Sequence, residues 1–230
     1  MDPEYGRAYA ALALVYLSIL DANWLQGAGL PSGVNLSDIT KFMREAEKHP
    51  SSTSHQVAGN LARLFQDYNK AIAEFTEAIA LDPSDSWSYA FMAQTLTLAG
   101  RPKEALPYIK TAMRIDPRYP PAFLFYLGFV QFSLDQFEAA VQSLEKAAAL
   151  NPEDQYAYMF LAAAYGHLSQ QKAALSAIAA YNELARDQGQ PQLTARHAWY
   201  LVWYRSTADR NRLYDGLLLA GVPDVMPKSP

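Results

Sequence analysis

Along residues 86–152 one pattern of apolar and polar positions is written twice. The first copy runs from Ser86 to Pro117 and the second from Pro121 to Pro152. Each opens on an aromatic-rich stretch with helical spacing, turns, runs through a second helix and closes at Asp-Pro or Asn-Pro. Extended to both sides, the pattern predicts helices over 4–24 and 37–48, 53–65 and 68–81, 85–98 and 102–115, 121–133 and 136–150, and 154–168 and 171–186. Residues 194–205 and 208–220 read as two more. Between the first pair, QGAGLPSGVNL (26–36) is a loop by its Gly and Pro content. Ser169 is the expected N-cap of the helix that follows it.

The period is the main argument. Small residues sit at Gly59, Ala93, Gly128 and Ala162, in steps of 34, 35 and 34 residues. Alanines follow at Ala71, Ala105, Ala140 and Ala174. Prolines close the units at Pro83, Pro117 and Pro152, and Arg186 replaces the proline in the last one. A fixed period near 34 means stacked supersecondary units, none of which buries its apolar face alone. The small residues let two helices of a pair cross closely, and the prolines end one unit so that the next helix starts afresh.

These residues resemble the tetratricopeptide repeat, with its pattern W-x2-L-G-x2-Y, then A-x3-F, then P. The third unit supplies Tyr89, Met92, Ala93, Leu96, Ala105, Ile109 and Pro117; the fourth supplies Leu124, Leu127, Gly128, Gln131, Ala140, Leu144 and Pro152. The resemblance implies an all-α fold, a right-handed solenoid of about five helix pairs. Residues 1–188 form the array, with repeats at 4–50, 52–85, 86–119, 121–154 and 155–188. Residues 189–222 are two capping helices, and 223–230 a tail. Asp2-Pro3 matches a unit's closing dipeptide, which predicts that the chain is cut from something longer. A narrower resemblance lies in LYDGLLLAGVPD (213–224), and in the long first unit with Trp24 before its insertion. Both are similar to the tetratricopeptide regions of bacterial class III adenylate/guanylate cyclases. That implies a regulatory or assembly region of a signalling protein, without the catalytic domain.

Composition removes several function classes. Of 230 residues, 19 are Lys or Arg and 23 Asp or Glu, a formal charge of −4, whereas a general nucleic-acid binder shows a basic surplus. The C-terminal arginines, Arg196, Arg205, Arg210 and Arg212, are diluted by Asp187, Asp209 and Asp215. There is no cysteine, hence no disulfide or thiolate metal site. Asp2 and Glu4 stand where a signal peptide has its basic start. The most apolar run, Ala8 to Leu20, falls short of the roughly 20 residues that cross a bilayer. Direct membrane insertion is therefore not expected. A cytoplasmic location is favoured, and a periplasmic one follows if a parent protein carries an upstream span.

Candidate chemistry is sparse. No zinc-protease, nucleophile-elbow or phosphate-loop motif is present, and the four histidines include no pair at i+3 or i+4. Gly27, Gly29 and Gly33 are spaced one residue too long for a dinucleotide fingerprint. The expectation is a non-enzymatic protein with no catalytic residue, cofactor or metal.

The resemblance places the first helix of each pair on the concave surface. Phased by the small residues, the binding strip is Asn60 and Arg63, then Trp87 and Gln94, then Phe125, Phe129 and Phe132, then Tyr156, Met159 and His167. Related arrays hold the C-terminal carboxylate of heat-shock chaperones with recurring cations. Here Ala10, Ala90, Phe125 and Met159 occupy the matching offsets, which argues against that partner. An aromatic strip with amides suits an extended or helical peptide with hydrophobic anchors. The alternative is self-association through the apolar terminal helices, giving a homo-oligomer.

Overall fold

The structure, a computed structural model, describes residues 8–13, 36–46 and 48–225. The predicted first helix beyond residue 13, nearly all of the Gly/Pro loop and the end of the tail lie outside them. All regular structure among the described residues is helical. Residues 8–13 are helical, and α1 (Leu36–Ala46) follows. Then come four antiparallel pairs: α2 (Ser52–Leu64) with α3 (Tyr68–Leu81), α4 (Ser86–Leu98) with α5 (Pro102–Ile115), α6 (Pro121–Ser133) with α7 (Phe137–Leu150), and α8 (Gln155–His167) with α9 (Gln171–Asp187). Two helices finish the chain, α10 (Ala195–Leu201) and α11 (Thr207–Leu219).

The small residues do what their spacing requires. A Cβ added at Gly128 would lie 2.6 Å from Leu144 Cγ, and one at Gly59 would lie 2.9 Å from the Phe75 ring. Ala93 and Ala162 hold the same position and are fully buried. Asp82, Asp116 and Asn151, each before a proline, are the C-caps of α3, α5 and α7. Their backbones leave the helical region, as a following proline demands. Aspartates restart the array: Asp85 and Asp154 accept backbone N–H bonds at the first turns of α4 and α8.

Within each pair the chain turns through one residue of left-handed conformation. These are Gln66, Gly100, Asp135 and Ser169, with φ of 61°, 80°, 59° and 57°. The next residue's N–H then bonds back into the helix, as from Asp67 to Ala62 O and from Gln170 to Tyr165 O. Ser169 is therefore not the N-cap that its chemistry suggested. It occupies the turn position that only the α4–α5 unit fills with glycine, and Gln170 caps α9 without a side-chain bond.

Two departures lie in the C-terminal region. The helix expected over 194–205 ends at Leu201, and Val202 is already extended. Val202-Trp203-Tyr204 is a β-branched and aromatic run that fits extended backbone better than helix. The second departure is where α11 goes. A first helix that continues the solenoid packs on the second helix of the preceding pair, as α8 does on α7, whereas α11 lies along α8 itself. The crossing is at backbone contact, since a Cβ on Gly166 would lie 2.0 Å from Gly216 O. Leu213, Leu217 and Tyr204 share one buried cluster with Phe129, Phe132 and Phe160 of the array.

Two stability measurements check this account. Gly128→Leu should overpack the α6–α7 crossing and cost about 1–3 kcal/mol, read by thermal or urea unfolding. Ser169→Gly should stabilise by about 0.5–1 kcal/mol, because relief of left-handed strain exceeds the added chain entropy. A lower melting temperature for Ser169→Gly would contradict the turn assignment.

Candidate functional site

The inner wall of the array is built by the first helices. Arg63 and Leu64 come from α2, Gln94 and Leu98 from α4, Phe125 and Phe129 from α6, and Tyr156 and Phe160 from α8. Together with the 151–154 turn and residues 200–203 they bound a pocket of about 380 Å³. Helix α6 is apolar nearly all round because its faces meet α7, α5, α8 and the returning C-terminal segment.

Of the ten residues expected on the binding strip, five line this pocket: Arg63, Gln94, Phe125, Phe129 and Tyr156. Asn60 is buried behind them; its amide donates to Gln56 O and its Oδ1 accepts from Arg63 Nη2 at 3.2 Å, so it positions the guanidinium. Trp87 lies away from the pocket, 37% exposed, packed on Phe91 and edge-on to Phe123 at 5.0 Å. Phe132 and Met159 are fully buried, because helical phase turns them into the inter-repeat core. His167 stacks on Phe137 at 4.2 Å, and its Nε2 donates to Arg212 O of α11 at 2.8 Å. These three are therefore not on the open wall.

The returning segment is the part that spacing did not reveal. Tyr204 is buried with its ring 5.5 Å from Phe129 and its hydroxyl 3.2 Å from Ser133 Oγ. Burial pushes the Tyr204 phenol well above its ordinary range, so it stays protonated. The backbone around it is held like that of a bound peptide. Arg205 N–H donates to Leu98 O at 2.8 Å, and the Tyr68 hydroxyl donates to Trp203 O. The Arg205 guanidinium lies 5.3 Å over the Tyr68 ring and reaches Asn69 Oδ1. Beyond it, Arg212 of α11 binds Asp135 at the α6–α7 turn and Asp209 on its own helix.

The pocket's polar groups are mostly uncharged. Gln94 and Gln155 line it as neutral amides beside the aromatic rings, and Asp154 also lines it, its carboxyl pushed up by burial. Gln155, Tyr126 and Phe160 escaped the sequence reading because each lies one or two positions off the strip's phase. Among the described residues no cluster of three or more His, Asp or Glu could hold a metal, and no helix is long and apolar enough to cross a membrane.

Residues 62–124 and 96–164 match the family model of the tetratricopeptide repeat. Over residues 62–164 the stacked pairs match the tetratricopeptide repeat. Among curated relatives, small glutamine-rich tetratricopeptide repeat-containing protein 2 of Mycosarcoma maydis is 30% identical over 111 residues, 48% of this chain and 31% of that protein. The chain thus spans about a third of that relative's length. Among solved structures, PilW, a type IV pilus biogenesis factor, superposes with a TM-score of 0.65 at 20% identity, over 94% of this chain and 92% of that one. YrrB, a tetratricopeptide protein with an unusual peptide-binding site, gives 0.53 at 17% identity, over 78% and 86%. At these identities the likeness is one of fold, a tetratricopeptide solenoid.

The docking of the C-terminal segment is checked with two tetratricopeptide-groove variants. Tyr204→Phe removes only the bond to Ser133 and should cost about 1 kcal/mol. Tyr204→Ala should free the segment, shifting Trp199 and Trp203 emission to the red and opening residues 189–206 to protease, while helicity of the array persists.

Proposed function

We propose that this tetratricopeptide array is a non-enzymatic protein-interaction scaffold that binds a peptide or protein segment on its concave wall. The observation that carries the reading is the convergence of Arg63, Gln94, Phe125, Phe129 and Tyr156, from four successive repeats, on one pocket. Concave apolar surface with a few convergent polar groups is what a binding site requires. On the resemblance of residues 213–224, the parent would be a bacterial signalling protein of the class III cyclase type, with this region in regulation or assembly. In this structure the same residues have a packing role: Leu213 and Leu217 are buried, and Gly216 meets α8. In the C-terminal region Tyr204, Leu213 and Leu217 are covered by the chain's own array, while Tyr200, Leu218 and Leu219 stay exposed.

The test is selection of peptides from a displayed random library against the immobilised protein, followed by titration of the best binder. Phe125→Ala should weaken binding more than tenfold, the loss typical of an aromatic anchor in a desolvated pocket. Trp87→Ala, outside the pocket, should change it less than threefold. Equal losses in both variants, or none in either, would place the partner elsewhere.

A further inference from the structure

One amide atom of each of two pocket side chains, Gln94 Oε1 and Gln155 Nε2, is buried without a hydrogen-bond partner among the described residues. Gln155 is only 7% exposed, and Gln94 is half-buried. Leaving a buried polar atom unpaired is costly, and such groups are retained where something else satisfies them. One amide presents an acceptor and the other a donor, and either can exchange the roles by a half-turn of its carboxamide. Their natural complement is a group carrying an N–H and a C=O together, which is a peptide unit.

The rest of the pocket sets what that peptide unit carries. Its floor is Phe125, Phe129 and Phe160, whose rings meet at 5.1–6.1 Å, the separations of offset and edge-on packing. Its volume, about 380 Å³, is near the lower end of the roughly 300–1,000 Å³ that holds a compact ligand. On the side of the inter-helix turns the pocket is closed by Leu201 to Trp203, pinned through Tyr68 and Leu98. An extended chain running along every repeat would have to displace that segment. Among the described residues Glu153 and Asp154 form no ion pair, and the charged groups of the lining are these two carboxylates and one guanidinium, Arg63. A ligand carboxylate beside them would meet net repulsion.

We propose that the pocket receives one uncharged aromatic residue of a partner polypeptide, its ring on the Phe125–Phe129–Phe160 floor and its peptide amide between Gln94 and Gln155. This rests on the scaffold reading and narrows it. The partner is held by a single internal aromatic residue at a site that the C-terminal segment completes, rather than by an extended segment or a chain terminus.

The probe is N-acetyl-L-phenylalanine amide, titrated into the full chain and followed by amide NMR shifts and Trp emission. A ligand of this size should saturate the site in the millimolar range. Shifts should concentrate at Gln94, Gln155 and Trp203, and N-acetyl-L-phenylalaninate should bind at least tenfold more weakly. Gln155→Leu should weaken the amide probe at least tenfold while the melting temperature stays level or rises, since an unpaired buried amide has been removed; Gln94→Leu should do the same from the other wall. Non-saturable shifts, equal binding of the carboxylate, or unchanged affinity in both variants would overturn the assignment. So would a fall of several degrees in both melting temperatures, which would mean that the amides serve the fold. A library-selected peptide that depends on Phe125 but neither competes with the probe nor responds to Gln155→Leu would sink this assignment and leave the scaffold reading intact. Saturable probe binding with no peptide selected would overturn the scaffold reading and, with it, the polypeptide partner proposed here.

Discussion

How closely two helices can approach at Gly59, Ala93, Gly128 and Ala162 decides everything else in this molecule. At Gly128 the helix pair leaves no room for a methyl group, because Leu144 already fills the space where a Cβ would stand. That closeness brings the second-helix alanines Ala71, Ala105, Ala140 and Ala174 to zero exposure and sets the distance at which the next pair can stack. Since each pair contacts chiefly its neighbours, the crossing is repeated and not compensated elsewhere. The same device then appears outside the repeat. Gly166 and Gly216 put α11 against α8 at backbone contact, which is why the final helix lies along the first helix of its neighbour instead of extending the stack.

The array alone would present an open concave wall, and the returning segment converts part of it into a pocket. It does so with the interactions that a bound peptide would use: backbone bonds at Trp203 and Arg205, an aromatic anchor at Tyr204 and a cation over Tyr68. Tyr204 is the residue on which this depends. Its ring shares the core with Phe129 and its hydroxyl finds Ser133, so a large polar-tipped side chain is buried without an orphaned group. Gln94 and Gln155 contrast with it: Gln94 Oε1 and Gln155 Nε2 are buried with no hydrogen-bond partner among the described residues. The proposed site lies at these two amides, on the same wall that Tyr204 helps to close.

Most helix bounds, the repeat phase and the small-residue crossings were legible along the chain. The reason is that they are local: helix-ending prolines, small residues at the crossings and a 34-residue period all act within one unit or between neighbouring units. Ser169 shows the limit of local chemistry. Serine is a good N-cap, but the turn between paired helices demands one left-handed residue at that place in every unit, and geometry overrode preference. The aromatic-rich character of α6 was also plain, though not which ring served which purpose. Phe125 opens into the pocket, Phe129 closes its floor and Phe132 disappears into the core, a division made by small rotations about one helix axis.

By itself, then, the sequence determined an all-α tetratricopeptide solenoid, its units and an inner wall rich in aromatics and amides. Only the tertiary structure decided that the wall is bounded by the chain's own C-terminal segment. The contact between Tyr68 and Trp203 joins residues 135 positions apart, across more than three periods, and no repeat spacing encodes it. It depends on the summed curvature of the intervening units, on the Gly166–Gly216 approach that aims α11 back along α8, and on the chain leaving the helix at Val202 so that Arg205 N–H reaches Leu98 O. Periodicity specifies what each unit does to the next. Where a non-repeating segment comes to rest is settled by which distant surfaces can bury it and pair its backbone.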